Sequence, residues 1–305
     1  MMKLHVLPDA PNPARVIFFV NEQRRVLGDA MGVASSVTMR ALATVLIFAT
    51  LLTHQTANAA IKFDWQDQFG PTEQAKLQIW IENTVAGVEA LVGPYPFELH
   101  IRMYRKDGAR EPVPWANTIR GNLQGVNFHV DPRFSLDDFR SDWTASHELS
   151  HLIFPYLGRS ASWFSEGFAS FMQYQVMMAT RDLTSDEAIE RYLSRLNRAS
   201  SDYPYQSSPF SDAAPKLRRA GKYPVMYWGG AAYFLQVDDK LRNSSDQTLI
   251  SVLGRYLQCC RQDRKNLDTL VQDLDRLSNS TIFSDCLNRF RTEPGFPAYD
   301  MLESE

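Results

Sequence analysis

Cysteine is scarce in this chain: only Cys259, Cys260 and Cys286 occur in 305 residues. Three thiols allow one disulfide with one thiol left over, and a metal site built on all three is the weaker use of them. Charge of one sign is lacking as well. The net charge is −3, no run of like charges stands out, and no basic excess supports a nucleic-acid binder. Repeats and low-complexity tracts are absent, and no G-x-S-x-G elbow supports a serine hydrolase. Long apolar runs are missing too. The charge-free, mostly apolar stretch from Ala41 to Leu52 has twelve residues, whereas a bilayer span needs ~20.

That short stretch has another use. Met39-Arg40 precedes it, and Ala57-Asn58-Ala59-Ala60 follows a polar segment. A charged start, an apolar core and an A-x-A site are the parts of a secretory signal peptide. The reading is a signal over residues 39–59, cleaved near Ala59, preceded over residues 1–38 by a non-native extension that reflects an upstream start codon. The product is expected outside the cytoplasm, periplasmic or secreted, with no stable membrane span in its mature form. Without residues 1–59 the chain keeps 27 basic and 32 acidic side chains. Its remaining 246 residues suffice for one sizeable core.

The most informative feature is His147-Glu148-Leu149-Ser150-His151, followed by Trp163-Phe164-Ser165-Glu166-Gly167. Two imidazoles four residues apart lie one helical turn apart on one face, so both can reach one zinc ion. Glu148 faces the same cleft and can serve as general base on zinc-bound water. Glu166 offers the third protein ligand, and His, His and carboxylate leave a fourth position for water, as a catalytic zinc site requires. Apolar residues recur at helical spacing from Ser135 to Phe154 without internal Pro or Gly, with Ser135 as N-cap and Asp137 and Asp138 in the first turn. Pro155 and Gly158 end that helix, and a second one near Ser162 to Met178 carries Glu166.

The H-E-L-S-H and W-F-S-E-G-F-A pair resembles the gluzincin peptidases of the thermolysin-like clan, in particular the alanyl/leucyl and glycyl aminopeptidase families. The similarity runs from about Trp143 to Arg242. It implies an α+β thermolysin-like zincin domain, with a small N-terminal sheet and active-site helices (60–180) followed by a mostly helical lobe (181–305). It implies one zinc ion held by His147, His151 and Glu166, Glu148 as general base, and a peptide or protein substrate. It also implies an oxyanion-stabilising Tyr about 60 residues past the third ligand. Tyr227-Trp228-Gly229-Gly230 stands 61 positions after Glu166, which assigns Tyr227, with Tyr223 and Tyr233 as alternatives in a different register. The chain departs from the family in three places. Only fourteen residues separate His151 from Glu166, Trp and Gly replace the Glu and Lys of the Tyr segment, and the nearest counterpart of the amine-binding G-A-M-E-N segment, Gly121 to Asn127, has no acid. Aminopeptidase and endopeptidase action therefore stay open, beside the alternative of a non-catalytic exported protein with a structural zinc site.

Elsewhere, apolar stations at Leu77, Ile81, Val85, Val88 and Leu91 predict a helix over Pro71 to Leu91. Strands are expected over Phe97 to Tyr104 and Gly125 to Val130; the gluzincin resemblance implies that Asn127 to Val130 is the substrate-aligning edge strand, beside the alternative of an ordinary sheet strand. His100 and His129 on these strands are read as structural. An amphipathic helix is expected over Asp186 to Arg198, a long surface loop over Ala199 to Lys222, and four helices near Val225–Asn243, Gln247–Cys260, Leu267–Leu277 and Ile282–Arg291. A disulfide from Cys286 to Cys259 or Cys260 is expected between the last helices, since adjacent cysteines rarely bridge each other.

Overall fold

The computed structural model describes residues 60–299 apart from 263. The signal segment, the residues before it and the last six residues lie outside the described part. Strands β1 (Ile61–Trp65), β2 (Leu99–Arg105), β3 (Trp115–Ile119) and β4 (Gln124–Val130) form one sheet in the order β1-β2-β4-β3. The first three in that order are parallel, and β3 runs antiparallel to β4 at the edge. Parallel neighbours need a crossover, supplied between β1 and β2 by helix α1 (Pro71–Val92), which opens with Pro71 at its first position. Leu77, Trp80, Ile81, Val85 and Val88 are buried along one side of α1, and the Trp80 ring lies 5.3 Å from that of Phe128 on β4.

Two strands escaped the sequence reading. β1 and β3 have five residues each, are mostly half-buried, and β3 carries polar Asn117 and Thr118. Such edge strands show little of the apolar alternation that marks a strand buried on one face. The expected edge is accordingly corrected: Asn127 pairs with Arg102 on one side and Asn117 on the other. Asn127, Phe128 and His129 are thus paired on both sides, and the edge beyond β4 belongs to β3.

The rest is helical: α2 (Leu136–Ser141), α3 (Thr144–His151), α4 (Ser162–Ala179), α5 (Ser185–Ser201), α6 (Phe210–Arg219), α7 (Tyr223–Ser244), α8 (Leu249–Cys259), α9 (Leu267–Ser278) and α10 (Ile282–Thr292). The fold is the expected α+β class, a small sheet followed by a mostly helical part. Three local expectations are corrected. The helix read as continuous from Ser135 to Phe154 breaks at Asp142, whose extended backbone ends α2 while its Oδ1 accepts the Thr144 N–H at 2.7 Å. A short acidic side chain offers the backbone this competing bond just ahead of the next helix, whose N-cap is Trp143. The loop expected over Ala199 to Lys222 contains α6, which buries Phe210, Ala213, Ala214 and Leu217 in a helical stripe despite Pro215. Finally, Cys259 and Cys260 are bonded to each other, and Cys286 is a free, fully buried thiol. Cys286 faces the core from α10, whereas Cys259 is exposed at the end of α8, so the two do not meet.

The centre of the helical part is aromatic. Phe154, just beyond α3, packs at a tilt against Phe168 of α4 with centroids 4.1 Å apart, and Phe164 and Phe234 complete the cluster at 4.8–5.2 Å. This core fixes α3, α4 and α7 against one another, and the candidate site lies where those three helices meet the sheet edge.

Candidate metal centre

Helix α3 places His147 and His151 on one face, with ring centroids 4.8 Å apart. The chain then turns through Pro155 and Gly158, whose φ of 84° favours glycine. A single 3-10 turn, Arg159–Ala161, leads into α4, which returns Glu166 to the two rings. Glu166 Oε2 lies 3.3 Å from His147 Nε2 and 3.4 Å from His151 Nε2. One donor atom from each residue falls within 4.8 Å of the others. Donors at about 2 Å from a tetrahedral zinc would sit about 3.3 Å apart. The side chains therefore fit zinc in both donor type and spacing.

The surroundings hold this arrangement. His147 Nδ1 lies 3.1 Å from Oε1 of buried Gln173. A proton on Nδ1 donated to that oxygen leaves Nε2 unprotonated and turned to the shared position, the usual way a second residue fixes a metal-binding imidazole. Gln173 was missed from the sequence, although it stands seven residues after Glu166 on the same helix face. Carbonyls at and just beyond the end of α3, where the regular helical donors run out, are met from distant parts of the chain. Tyr95 Oη donates to Leu149 O at 2.8 Å, Arg261 Nε to Leu152 O at 2.9 Å, and Arg120 to His151 O and Phe154 O at 2.7 and 2.9 Å. No local spacing announces these three donors.

The electrostatics divide the two carboxyl groups. Burial pushes both upward, but in Glu166 the two imidazoles outweigh it and hold the carboxyl well below its usual range. In Glu148 burial wins over the same histidines and Arg120, and the carboxyl is raised. Divergent shifts in neighbouring carboxylates are the pattern of one group that stays ionised and one able to exchange a proton. Tyr227 stands at the start of α7, its ring 6.0 Å from His147. Burial, then Glu166 and Glu148, raise its phenol, so it stays protonated and able to donate.

Tyr227 reaches the site because α4 and α7 touch backbone to backbone. A Cβ on Gly167 would lie 2.2 Å from the Gly230 carbonyl carbon, and one on Gly230 would lie 2.1 Å from Trp163 O. The Gly after Glu166 and the Gly three residues after Tyr227 thus permit the close approach. Tyr223 and Tyr233 fall elsewhere: Tyr223 is 47% exposed, and Tyr233 is buried with its hydroxyl donating to Phe283 O. His100 pairs with Glu98, and His129 stacks between Tyr104 and Trp115, so neither joins the metal cluster.

His147, Glu148, His151, Glu166 and Tyr227 all line one cleft of about 540 Å³, whose other wall includes the β3 residues Trp115 to Thr118. Its rim carries exposed Trp115, Trp143 and Tyr156.

The architecture is an α+β domain whose fold is similar to that of an aminopeptidase N family protein. The aminopeptidase N family protein from Idiomarina loihiensis superposes with a TM-score of 0.56 at 17% identity, over 79% of this chain and 46% of that one. The M1 zinc metallopeptidase from Deinococcus radiodurans aligns with a TM-score of 0.48 at 16% identity, over 78% of this chain and 49% of that one. The chain thus spans about half the length of these structures. No family model and no curated protein matches the sequence. At these identities the likeness is one of fold.

Proposed function

We propose that the protein is a zinc-dependent peptidase that acts outside the cytoplasm on peptide or protein substrates. The observation that carries the proposal is the convergence of His147, His151 and Glu166 within one cleft, with Glu148 beside them and free to face a substrate. His147, His151 and Glu166 would hold the ion, the first oriented by Gln173. Bound zinc would supply a Lewis acid that polarises the scissile carbonyl and acidifies water. Glu148, raised by burial, takes the proton of the attacking water and delivers it to the leaving amine. Tyr227 Oη donates to the oxygen on which negative charge develops. The β3 edge, whose outer side has no strand partner among the described residues, can align an extended peptide by strand addition. The site outside the cytoplasm rests on the signal-like segment at residues 39–59.

The test is hydrolysis of a peptide library by the chain from Ala60 onward, with and without a chelator, beside Glu148→Gln. The expected result is chelator-sensitive cleavage that Glu148→Gln reduces by at least ~10²-fold while zinc content stays normal. Undiminished cleavage by the variant would refute the role of Glu148. Absence of any cleavage by zinc-loaded protein would favour a non-catalytic zinc-site protein. Cleavage of N-terminally blocked peptides would identify an endopeptidase.

A further inference from the structure

We propose that Arg159 and Arg218 make this cleft read a carboxylate on the peptide, so that preferred substrates carry an acidic side chain or a free C-terminal carboxylate near the scissile bond. The inference rests on the peptidase reading and names the substrate class of the same site.

Three guanidinium groups line the cleft: Arg120, Arg159 and Arg218. Arg120 is committed to the backbone, donating to His151 O and Phe154 O. Arg159 and Arg218 are not committed: neither side chain has a hydrogen bond or ion pair with any described residue. Their backbone positions are nonetheless fixed. Arg159 opens the 3-10 turn that leads into α4. Arg218 lies in the last turn of α6, where Gly221 N–H bonds Arg218 O and Lys222 N–H bonds Leu217 O to bring the chain round into α7. Ser162 Oγ lies 3.9 Å from Met226 Sδ, which ties the start of α4 to the turn bearing Tyr227. Both arginines therefore sit on the helical side of the cleft, near the Tyr227 end.

The charge balance of the cleft gives these groups a direction. Besides Glu148 and Glu166, which serve the metal site, the carboxylate that lines it is Glu111. Two uncommitted guanidinium groups, with Arg120 behind them, face one spare carboxylate. A peptide carboxylate entering this wall finds donors that surrender no protein partner on binding it. A planar guanidinium also suits a carboxylate in geometry, through two parallel N–H donors. Arg218 is half-buried, and a charge less surrounded by water acts more strongly and is less screened by salt.

The experiment uses zinc-loaded chain from Ala60 onward and quenched fluorescent peptides in matched sets. One set exchanges Glu for Gln at each position flanking the cleaved bond. The other compares a free C-terminus with its amide. The expected result is at least a tenfold preference in kcat/KM for the carboxylate form of one set, carried mainly by KM and shrinking as salt rises. The set that shows it identifies the source of the carboxylate. In the double variant Arg159→Gln/Arg218→Gln the ratio falls toward one with normal zinc content, and Arg218→Lys keeps part of it. Equal cleavage of acid and amide forms by wild type, or an undiminished ratio in the double variant, overturns the proposal while leaving a peptidase. Binding of the same peptides to zinc-loaded Glu148→Gln, followed by fluorescence anisotropy, separates the two readings if no cleavage is seen. Tighter binding of the carboxylate forms supports the cationic wall even then, and indifferent or absent binding overturns it.

Discussion

Gly230→Ala is a small change with a large expected consequence, and its sign is opposite to that of helix propensity alone. Alanine is the better helix former by ~1 kcal/mol, so at an uncrowded helical position the substitution would stabilise. Here the new Cβ would meet Trp163 O at 2.1 Å and Gly167 Cα at 3.0 Å. Both obstacles are backbone, which no rotamer change can move aside. Real Cβ atoms do not approach below 3.0 Å, so α4 and α7 must part by about 1 Å. Overpacking of this kind costs roughly 1–3 kcal/mol, and a domain of this size loses roughly 2–4 °C in Tm per kcal/mol. The separation also moves Tyr227 away from Glu166, and a displacement of that order at a reacting centre costs on the order of 10²-fold in rate. Scanning calorimetry and kcat on one cleaved peptide are the assays. A Tm several degrees lower with turnover lost well beyond the loss of folded protein is expected. An unchanged or raised Tm with normal turnover would refute the close-packed account of the Y-W-G-G segment.

Three other outcomes follow from the same geometry. Gln173→Leu removes the acceptor for His147 Nδ1 and should weaken zinc binding by about 10–100-fold, measured by competition with a chromophoric chelator. Tyr227→Phe should reduce kcat with zinc content and Tm unchanged; intact turnover would mean that another group meets the oxyanion. Asp131, fully buried beside Arg133, has its carboxyl held well below the usual range by that guanidinium and by the Arg133 and Ala109 N–H groups. Its folded pKa lies below its unfolded value of about 4, so its contribution to stability is present above that value and is lost as pH falls toward the folded one. The Tm gap between wild type and Asp131→Asn should accordingly be widest near neutral pH and narrow steadily below pH ~4.

Much of the site was legible because its members announce themselves by local spacing. His147 and His151 share a helix face through a four-residue interval, and the turn through Pro155 and Gly158 implied the reversal that returns Glu166. The long helices were legible through their apolar stripes, α1 and α7 among them. What stayed hidden depends on contacts between distant residues. Tyr95, Arg120 and Arg261 cap the end of α3 across 31 to 109 positions of sequence, and no pattern in one chain marks such donors. The β3 edge was hidden for a different reason. A strand with one open side and a polar middle shows little alternation, whereas the more apolar β4 carries the clearer strand pattern. In α6 the stripe Phe210, Ala213, Ala214, Leu217 was present, but the Ser, Pro and Tyr around it read as loop. The break at Asp142 comes with a side-chain-to-backbone bond to Thr144 that helical periodicity cannot register. Gly229 shows a departure from the family pattern acquiring a reason: a Cβ at the position where the family has Lys would lie 2.3 Å from the Phe210 ring of α6.

The central claim is that two imidazoles of α3 and the first carboxylate of α4 hold a single zinc ion. Zinc content with X-ray absorption at the zinc edge, measured on the chain from Ala60 onward and on Glu166→Ala, tests it most directly. The account predicts one zinc per chain, ligated by nitrogen and oxygen with two imidazoles in the spectrum, and much weaker binding in the variant. Sulfur ligation, or zinc retained with full affinity when Glu166 is gone, would contradict it.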